Sequence, residues 1–201
     1  MNAAPSTDRV EVDALKRAAA EAAVQMVEND MVVGLGSGST AAFAVEALAR
    51  RHRQGLHFVG IATSERTATL AKAAGIPLTS FSEHRQIDLT IDGADEVERG
   101  TLNLIKGLGG ALLREKIVAA ASHRLVIVVD GSKMVDRLGT QTSLPVEVVA
   151  FGLEATRESL EVLGASARAR MSSVAPFVTD SGNLILESTN LLVFCSWCWS
   201  G

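Results

Sequence analysis

The order of apolar and polar positions predicts strands alternating with helices over residues 10–129. Leu15, Ala18, Ala19, Ala22, Ala23 and Met26 recur at three- and four-residue spacing, so residues 10–28 are expected to form a helix after a polar, frayed start over residues 1–9. Asn29 and Asp30 end it, and Met31, Val32 and Val33 open a short buried strand that runs into the glycine-rich loop Gly34, Leu35, Gly36, Ser37, Gly38. Ser39 and Thr40 start a second helix, with Arg50 and Arg51 in its last turn, where the helix dipole favours cations. A strand is expected over residues 57–61. Thr63 or Ser64 then caps a helix to Ala74, stopped by Gly75 with Pro77 just after. Strands follow over residues 86–91, 102–105 and 124–129, with a helix over 111–121; the β-branched run of the last strand predicts burial.

This alternation implies an α/β fold, a mostly parallel sheet with helices on both faces. After Asp130 the texture changes. A loop-rich stretch over 131–143 leads to a strand over 146–151 and a helix over 154–163 with Gly164 as its stop. A hairpin of residues 176–178 and 183–186 is expected around the turn 179–182. The expected organisation is a main α/β domain over residues 1–130, a small and incomplete α+β satellite domain over 131–187, and a tail over 188–201.

Composition narrows the function. The chain has 201 residues, 47% of them hydrophobic, enough for a sizeable core. A formal net charge of −4 and a pI near 5.6 argue against binding nucleic acid or a membrane surface by phosphate neutralisation. No apolar run reaches the roughly 18 residues of a membrane span, and the N-terminal residues have no secretory signal pattern. Both cysteines, Cys195 and Cys198, lie in the tail with both tryptophans, so no disulfide framework is expected and a reducing, cytoplasmic setting is the default. The Cys-x-x-Cys there lacks a following helix pattern and reads as incidental. The four histidines have no ligand-like spacing, so no metal site is expected.

Two segments carry candidate chemistry. Strand, glycine turn and helix start around Ser37, Gly38, Ser39 and Thr40 make a place for an anion, because free N–H groups and the helix dipole favour negative charge. No lysine follows the last glycine, so it is not a P-loop, and Ser39 spoils a dinucleotide fingerprint. A tight strand–helix turn with a serine cap fits the same residues. In the second segment, Asp92, Gly93, Ala94 and Asp95 stand at the end of a strand, where open α/β sheets bind ligands. Two carboxylates across a glycine can meet one sugar hydroxyl; they can equally be turn caps. Glu96 and Glu98 read as solvated charge near a loop. Lys106 precedes the turn Gly107, Leu108, Gly109, Gly110, where its amine can face a developing oxyanion or simply reach solvent. Glu115 lies between Arg114 and Lys116 inside a helix. Helix geometry alone favours a solvated charged patch, whereas an inward Glu115 would suit proton transfer from carbon.

Taken together, GLGSGSTAA at 34–42, TSERT at 63–67, DLTIDGADEVE at 88–98 and NLIKGLGGALLREKIV at 103–118 resemble the ribose-5-phosphate isomerase A family. DGSKMV at 130–135, LPVEV at 144–148 and VTDSGNLIL at 178–186 extend the resemblance over residues 10–187. It implies an aldose–ketose isomerase acting through an enediolate in the non-oxidative pentose phosphate pathway, with a sugar phosphate as its small-molecule partner, no cofactor, and a homodimeric assembly. It implies Glu115 as the base between C1 and C2, Asp92 and Asp95 for hydroxyl protons and sugar orientation, and Lys106 at the enediolate oxygen. Ser37, Gly38, Ser39, Thr40, Gly93, Ala94, Gly107, Leu108, Gly109 and Lys133 become substrate-binding positions.

There are departures from the pattern. Leu108 stands where glycine or a polar residue is usual. Residues 188–201 match none of the family's continuing helix and strands, which points to a frameshift, read-through or truncation and an expected cost in stability and activity. The competing readings are a non-catalytic sugar-phosphate binder and a CoA-transferase-like enzyme with a glutamate nucleophile. The joint presence of Glu115 and Lys106 favours the isomerase.

Overall fold

The computed structural model describes residues 7–190, and side chains from residue 10 onward. Of the expected frayed start over residues 1–9, residues 7–9 are helical and residues 1–6 lie outside the described residues, as does most of the expected tail, including the Cys-x-x-Cys. The chain forms two compact units, one of Met1–Gly93 with Glu115–Gly131, the other of Ala94–Arg114 with Ser132–Gly201.

In the first unit, helix α1 (Thr7–Val24) leads to strand β1 (Met31–Leu35), helix α2 (Gly38–Arg53), strand β2 (Phe58–Ala62), helix α3 (Glu65–Ala73) and strand β3 (Ile87–Asp92). The second unit then takes β4 (Glu96–Glu98) and β5 (Leu104–Ile105). Helix α4 (Leu112–Ala120) leads back to β6 (Ser122–Ile127) of the first unit. The sheet of the first unit has the order β2-β1-β3-β6, and every pairing in it is parallel. Its two faces follow the strand period of two. Val33 and Leu35 of β1, with Leu89 and Ile91 of β3, join a core cluster with Ala20 and Val24 of α1, Ala44 and Leu48 of α2 and Ala71 of α3. Val32 of β1 instead packs with Ile61 and with Val118 of α4. The α/β class expected from the alternation is the one observed.

Close packing explains one glycine. A Cβ on Gly34 would lie 1.9 Å from Thr90 Oγ1 and 2.8 Å from Val118 Cγ1, so only glycine lets α4 approach β1 here. Burial of the last strand is corrected: β6 is the outer strand of this sheet, and His123 and Arg124 are exposed. Its β-branched residues reflect strand propensity at an edge rather than burial on both faces.

The second unit continues with β7 (Met134–Val135), β8 (Leu144–Val148), helix α5 (Leu153–Val162), β9 (Ser166–Ala169), β10 (Met171–Ser172), β11 (Ala175–Pro176) and β12 (Leu184–Thr189). The small sheet β5-β4-β7 explains why residues 94–114 join this unit: Val97 pairs with Met134 and Glu98 with Val135. A second sheet, β8-β12-β9, is antiparallel and encloses Val148, Ala167 and Leu186.

The expected hairpin is corrected too. Residues 179–182 do form a closed turn, with Thr179 N–H on Asn183 O at 2.9 Å. Beyond it, β12 pairs with β8 (Leu186↔Val146) and β9 (Leu186↔Ala169), not with residues 176–178, and this pairing sets Leu186 beside Val148 and Ala167 in one apolar cluster. The strand expected over 146–151 ends at Val148; Ala150–Gly152 is a 3-10 turn that leaves Phe151 in solvent. Regular structure also runs past residue 187, since Ser188 pairs with Leu144 and is buried.

Candidate active site

The first unit brings two of the expected residues, Ser37 and Gly93, onto the carboxylate of a third, Asp92. Asp92 ends β3 and is 1% exposed. Its Oδ1 accepts the N–H of Ser37 at 3.1 Å and that of Gly93 at 2.8 Å. The loop must lie close for this to happen. A Cβ on Gly36 would come within 2.6 Å of Asp92 Cα, and Gly36 N–H donates to Ile91 O at 2.9 Å. The glycine-rich stretch is therefore pulled against the end of β3 before α2 begins.

Ser37 is the N-cap residue of α2 but makes no side-chain cap bond. Its hydroxyl meets Thr63 Oγ1 at 2.6 Å, and Thr63 in turn donates to Leu35 O at 3.1 Å, so Ser37 is the donor in that pair. Both Ser37 donors are thus engaged within the protein. The N–H groups of Gly38, Ser39 and Thr40 are first-turn helix donors, which have no acceptor inside the helix. Gly38 has φ +90, open space around it and a place at the helix start, as an anion cradle requires. Lys16 of α1 reaches the same end and donates to Ser39 Oγ at 3.4 Å. The sequence pattern missed Lys16, because an isolated cation on an amphipathic helix carries no signal of what it will face. Ser64 takes the cap of α3, accepting Thr67 N–H at 3.0 Å, while Thr67 Oγ1 donates to Gly36 O at 3.0 Å. The buried Thr63 and Thr67 thus brace the loop from below.

Glu115 stands in the first turn of α4 and is 5% exposed. Its neighbour Lys116 is exposed and Arg114 half-buried. The solvated-patch alternative is therefore corrected: successive helix residues lie about 100° apart, and this turn buries the central member of the charge run.

In the second unit, the β4–β5 pairing places a further set of the expected residues. Glu96 pairs with Ile105 and Val97 with Leu104, and Asp95 N–H donates to Ile105 O at 2.8 Å. Continuing the register one step sets Asp95 across from Lys106, which is half-buried. Asp95 Oδ2 also accepts Leu108 N–H at 2.9 Å, so its carboxylate holds the turn that follows Lys106. Gly107 and Gly110 have φ +107 and +85, and Gly110 N–H closes the turn on Gly107 O at 2.9 Å. Gly109 is exposed at its tip, Ala94 is half-buried just before Asp95, and Lys133 ends the 3-10 turn Gly131–Lys133.

Glu96 corrects the solvated-charge expectation. It is 0% exposed, and its carboxylate accepts the N–H groups of Gly139 (2.6 Å), Gln141 (2.7 Å) and Thr142 (2.7 Å). A buried charge is tolerable when it is hydrogen-bonded in this way. Glu98 behaves as expected for a partly open position; the Thr101 hydroxyl, ahead of lesser contributions from Asn103, Leu138 and Arg137, holds its carboxyl below the usual range despite an opposing effect of burial.

Among the described residues no group of His, Cys, Asp and Glu could hold a metal ion, and no helix is long and apolar enough to cross a membrane.

Known proteins share this arrangement of sequence. The family model for Ribose 5-phosphate isomerase A (phosphoriboisomerase A) matches residues 59–193, a span that includes Asp92, Asp95, Lys106, Glu115 and Lys133 and runs past residue 187. The chain is 59% identical over 178 residues to ribose-5-phosphate isomerase A of Gloeobacter violaceus, covering 89% of this chain and 77% of that protein. It is 57% identical over 174 residues to the Gluconobacter oxydans protein of the same name, covering 86% and 75%. Among solved structures, ribose 5-phosphate isomerase A of Methanocaldococcus jannaschii superposes with TM-score 0.87 at 38% identity, over 90% of this chain and 81% of that one. A D-ribose-5-phosphate isomerase in complex with phospho-erythronic acid gives TM-score 0.84 at 37% identity, over 89% and 79%. By sequence and by fold, this chain belongs to the ribose 5-phosphate isomerase A family.

Proposed function

We propose that the chain interconverts D-ribose 5-phosphate and D-ribulose 5-phosphate through an enediolate. The observation that carries the reading is Glu115, a carboxylate withdrawn from solvent although its flanking residues on α4 are both cationic. A base that abstracts a proton from carbon gains from such a setting, where water does not compete for it. In this reading Glu115 moves the proton between C2 and C1. Lys106 stabilises the negative charge on the enediolate oxygen. Asp92 and Asp95 orient the sugar and pass protons between its hydroxyl oxygens. The N–H groups of Gly38, Ser39 and Thr40, with Lys16 alongside, take the phosphate, so that binding energy remote from the reacting carbons orients them. Gly93, Ala94, Gly107, Leu108, Gly109 and Lys133 complete the substrate contacts, while Ser37 shapes the phosphate loop through Asp92 and Thr63.

The ligand of the related solved structure, phospho-erythronic acid, is a phosphorylated sugar acid and agrees with this substrate class. A homodimer in the cytoplasm is part of the same proposal, drawn from the family resemblance and the acidic, cysteine-poor body of the chain. The test is ribose 5-phosphate conversion followed by ketose formation, with no added metal or CoA ester. Turnover with ribose 5-phosphate supports the proposal. Binding without turnover would favour a sugar-phosphate binder, and dependence on a CoA ester would favour the transferase reading.

A further inference from the structure

We propose that Arg170 is a positioning residue for Lys106, acting through the turn that follows the lysine; this rests on the isomerase reading. Arg170 follows β9 directly and its side chain is 14% exposed. It donates from Nη1 to Leu108 O at 3.0 Å, with both terminal nitrogens 3.5 Å from Gly107 O. On its other side Nε and Nη2 both lie 2.5 Å from Glu187 Oε1. Glu187 is held in turn by the Ser143 hydroxyl, which donates to Oε2. The guanidinium also lies over the Phe177 ring at 5.5 Å, and that ring is pressed against Gly110, where an added Cβ would come within 2.6 Å of it.

The turn therefore has partners for both kinds of backbone group. Asp95 takes the Leu108 N–H, while Arg170 supplies donors to the carbonyls of Gly107 and Leu108. A turn with positive φ at Gly107 and Gly110 has unusual conformational freedom in isolation, and these contacts remove it. Fixing the backbone just after Lys106 fixes where its amine can reach, and displacements of about 1 Å at a reacting group can cost about 100-fold in rate. Arginine is required because one planar fork must serve a carboxylate and two carbonyls together; a lysine ammonium is a compact point charge without that geometry.

The test compares wild type, Arg170→Lys and Glu187→Gln for steady-state isomerisation of ribose 5-phosphate and for amide hydrogen exchange in the full chain. Arg170→Lys should lower kcat about 10- to 100-fold with KM within about threefold. The Leu108 and Gly110 amides should exchange faster, while those of β8 and β12 stay protected. Glu187→Gln, which keeps the shape and loses the charge, should show the same pattern more weakly. Wild-type kcat in Arg170→Lys would overturn the proposal, as would unchanged exchange at Leu108 and Gly110, or protection lost across β8 and β12 together. If wild type itself fails to isomerise ribose 5-phosphate while exchange at the turn responds as described, the isomerase reading falls and the hold of Arg170 on the turn stands.

Discussion

Asp95 Oδ2 accepts the backbone N–H of Leu108 at 2.9 Å, so a residue expected to touch substrate also shapes the turn that carries its partner cation. The two roles can be separated. Asp95→Ala should lower kcat about 100-fold and speed exchange of the Leu108 amide. Asp95→Asn keeps an acceptor and should leave that amide protected while still losing activity through the missing charge. Steady-state kinetics paired with hydrogen exchange on the two variants checks this.

Gly36 is fixed by sterics rather than by turn conformation. Its absent Cβ would lie 2.3 Å from Asp92 Oδ1 and 2.6 Å from Asp92 Cα. Because one of these is backbone, the clash is not relieved by a rotamer change. Gly36→Ala should destabilise the first unit by about 1–3 kcal/mol and raise KM for ribose 5-phosphate, as the loop moves off Asp92. Urea unfolding and steady-state kinetics test both halves.

Glu96 organises residues 139–142 through three N–H groups. Glu96→Ala leaves those donors without their acceptor and should cost roughly 1–3 kcal/mol or more. Glu96→Gln should not rescue it fully, because its amide turns a donor toward at least one of the three N–H groups. The measurement is denaturant unfolding of both variants, with exchange at Gly139, Gln141 and Thr142 as the local readout.

Much of this was legible before any coordinates. Apolar runs and their punctuation marked β1, β2 and β3, and Thr63 or Ser64 stood out as the cap of α3, a choice that the structure settles on Ser64. What escaped was set by pairing between distant residues. β4 has three residues, too few for a period, and it exists because Val97 finds Leu104 on one side and Met134 on the other. The burial of Glu96 depends on a loop more than 40 positions later, and Arg170 meets Leu108 from 62 positions away. The hairpin expectation failed for the same reason: a local turn at 179–182 was visible, but the partners of β12 are chosen by the apolar surfaces of β8 and β9. At the site, residue types announced Asp92, Asp95 and Lys106 as candidates. The inward turn of Glu115 came from resemblance, since a three-residue charge run does not say which member is buried.

The acid limb of stability should report on Glu98. Its carboxyl is held below the ordinary range chiefly by the Thr101 hydroxyl, which donates to it at 2.6 Å. A lowered value in the folded state means that the contribution is complete above the unfolded value and fades as pH falls through the folded one. The advantage of wild type over Thr101→Val should therefore be full at neutral pH and vanish on acidification through the carboxylate range. NMR titration of the Glu98 side chain should show its midpoint moving up in the variant.

The central claim is that the buried carboxylate of Glu115 is the base, and one substitution addresses it. Glu115→Gln preserves size and hydrogen-bonding reach while removing the ability to take a proton. Measured with ribose 5-phosphate at saturating concentration, its kcat should fall at least about 100-fold, with substrate binding largely retained. A Glu115→Gln protein that turns over at close to the wild-type rate would contradict the assignment.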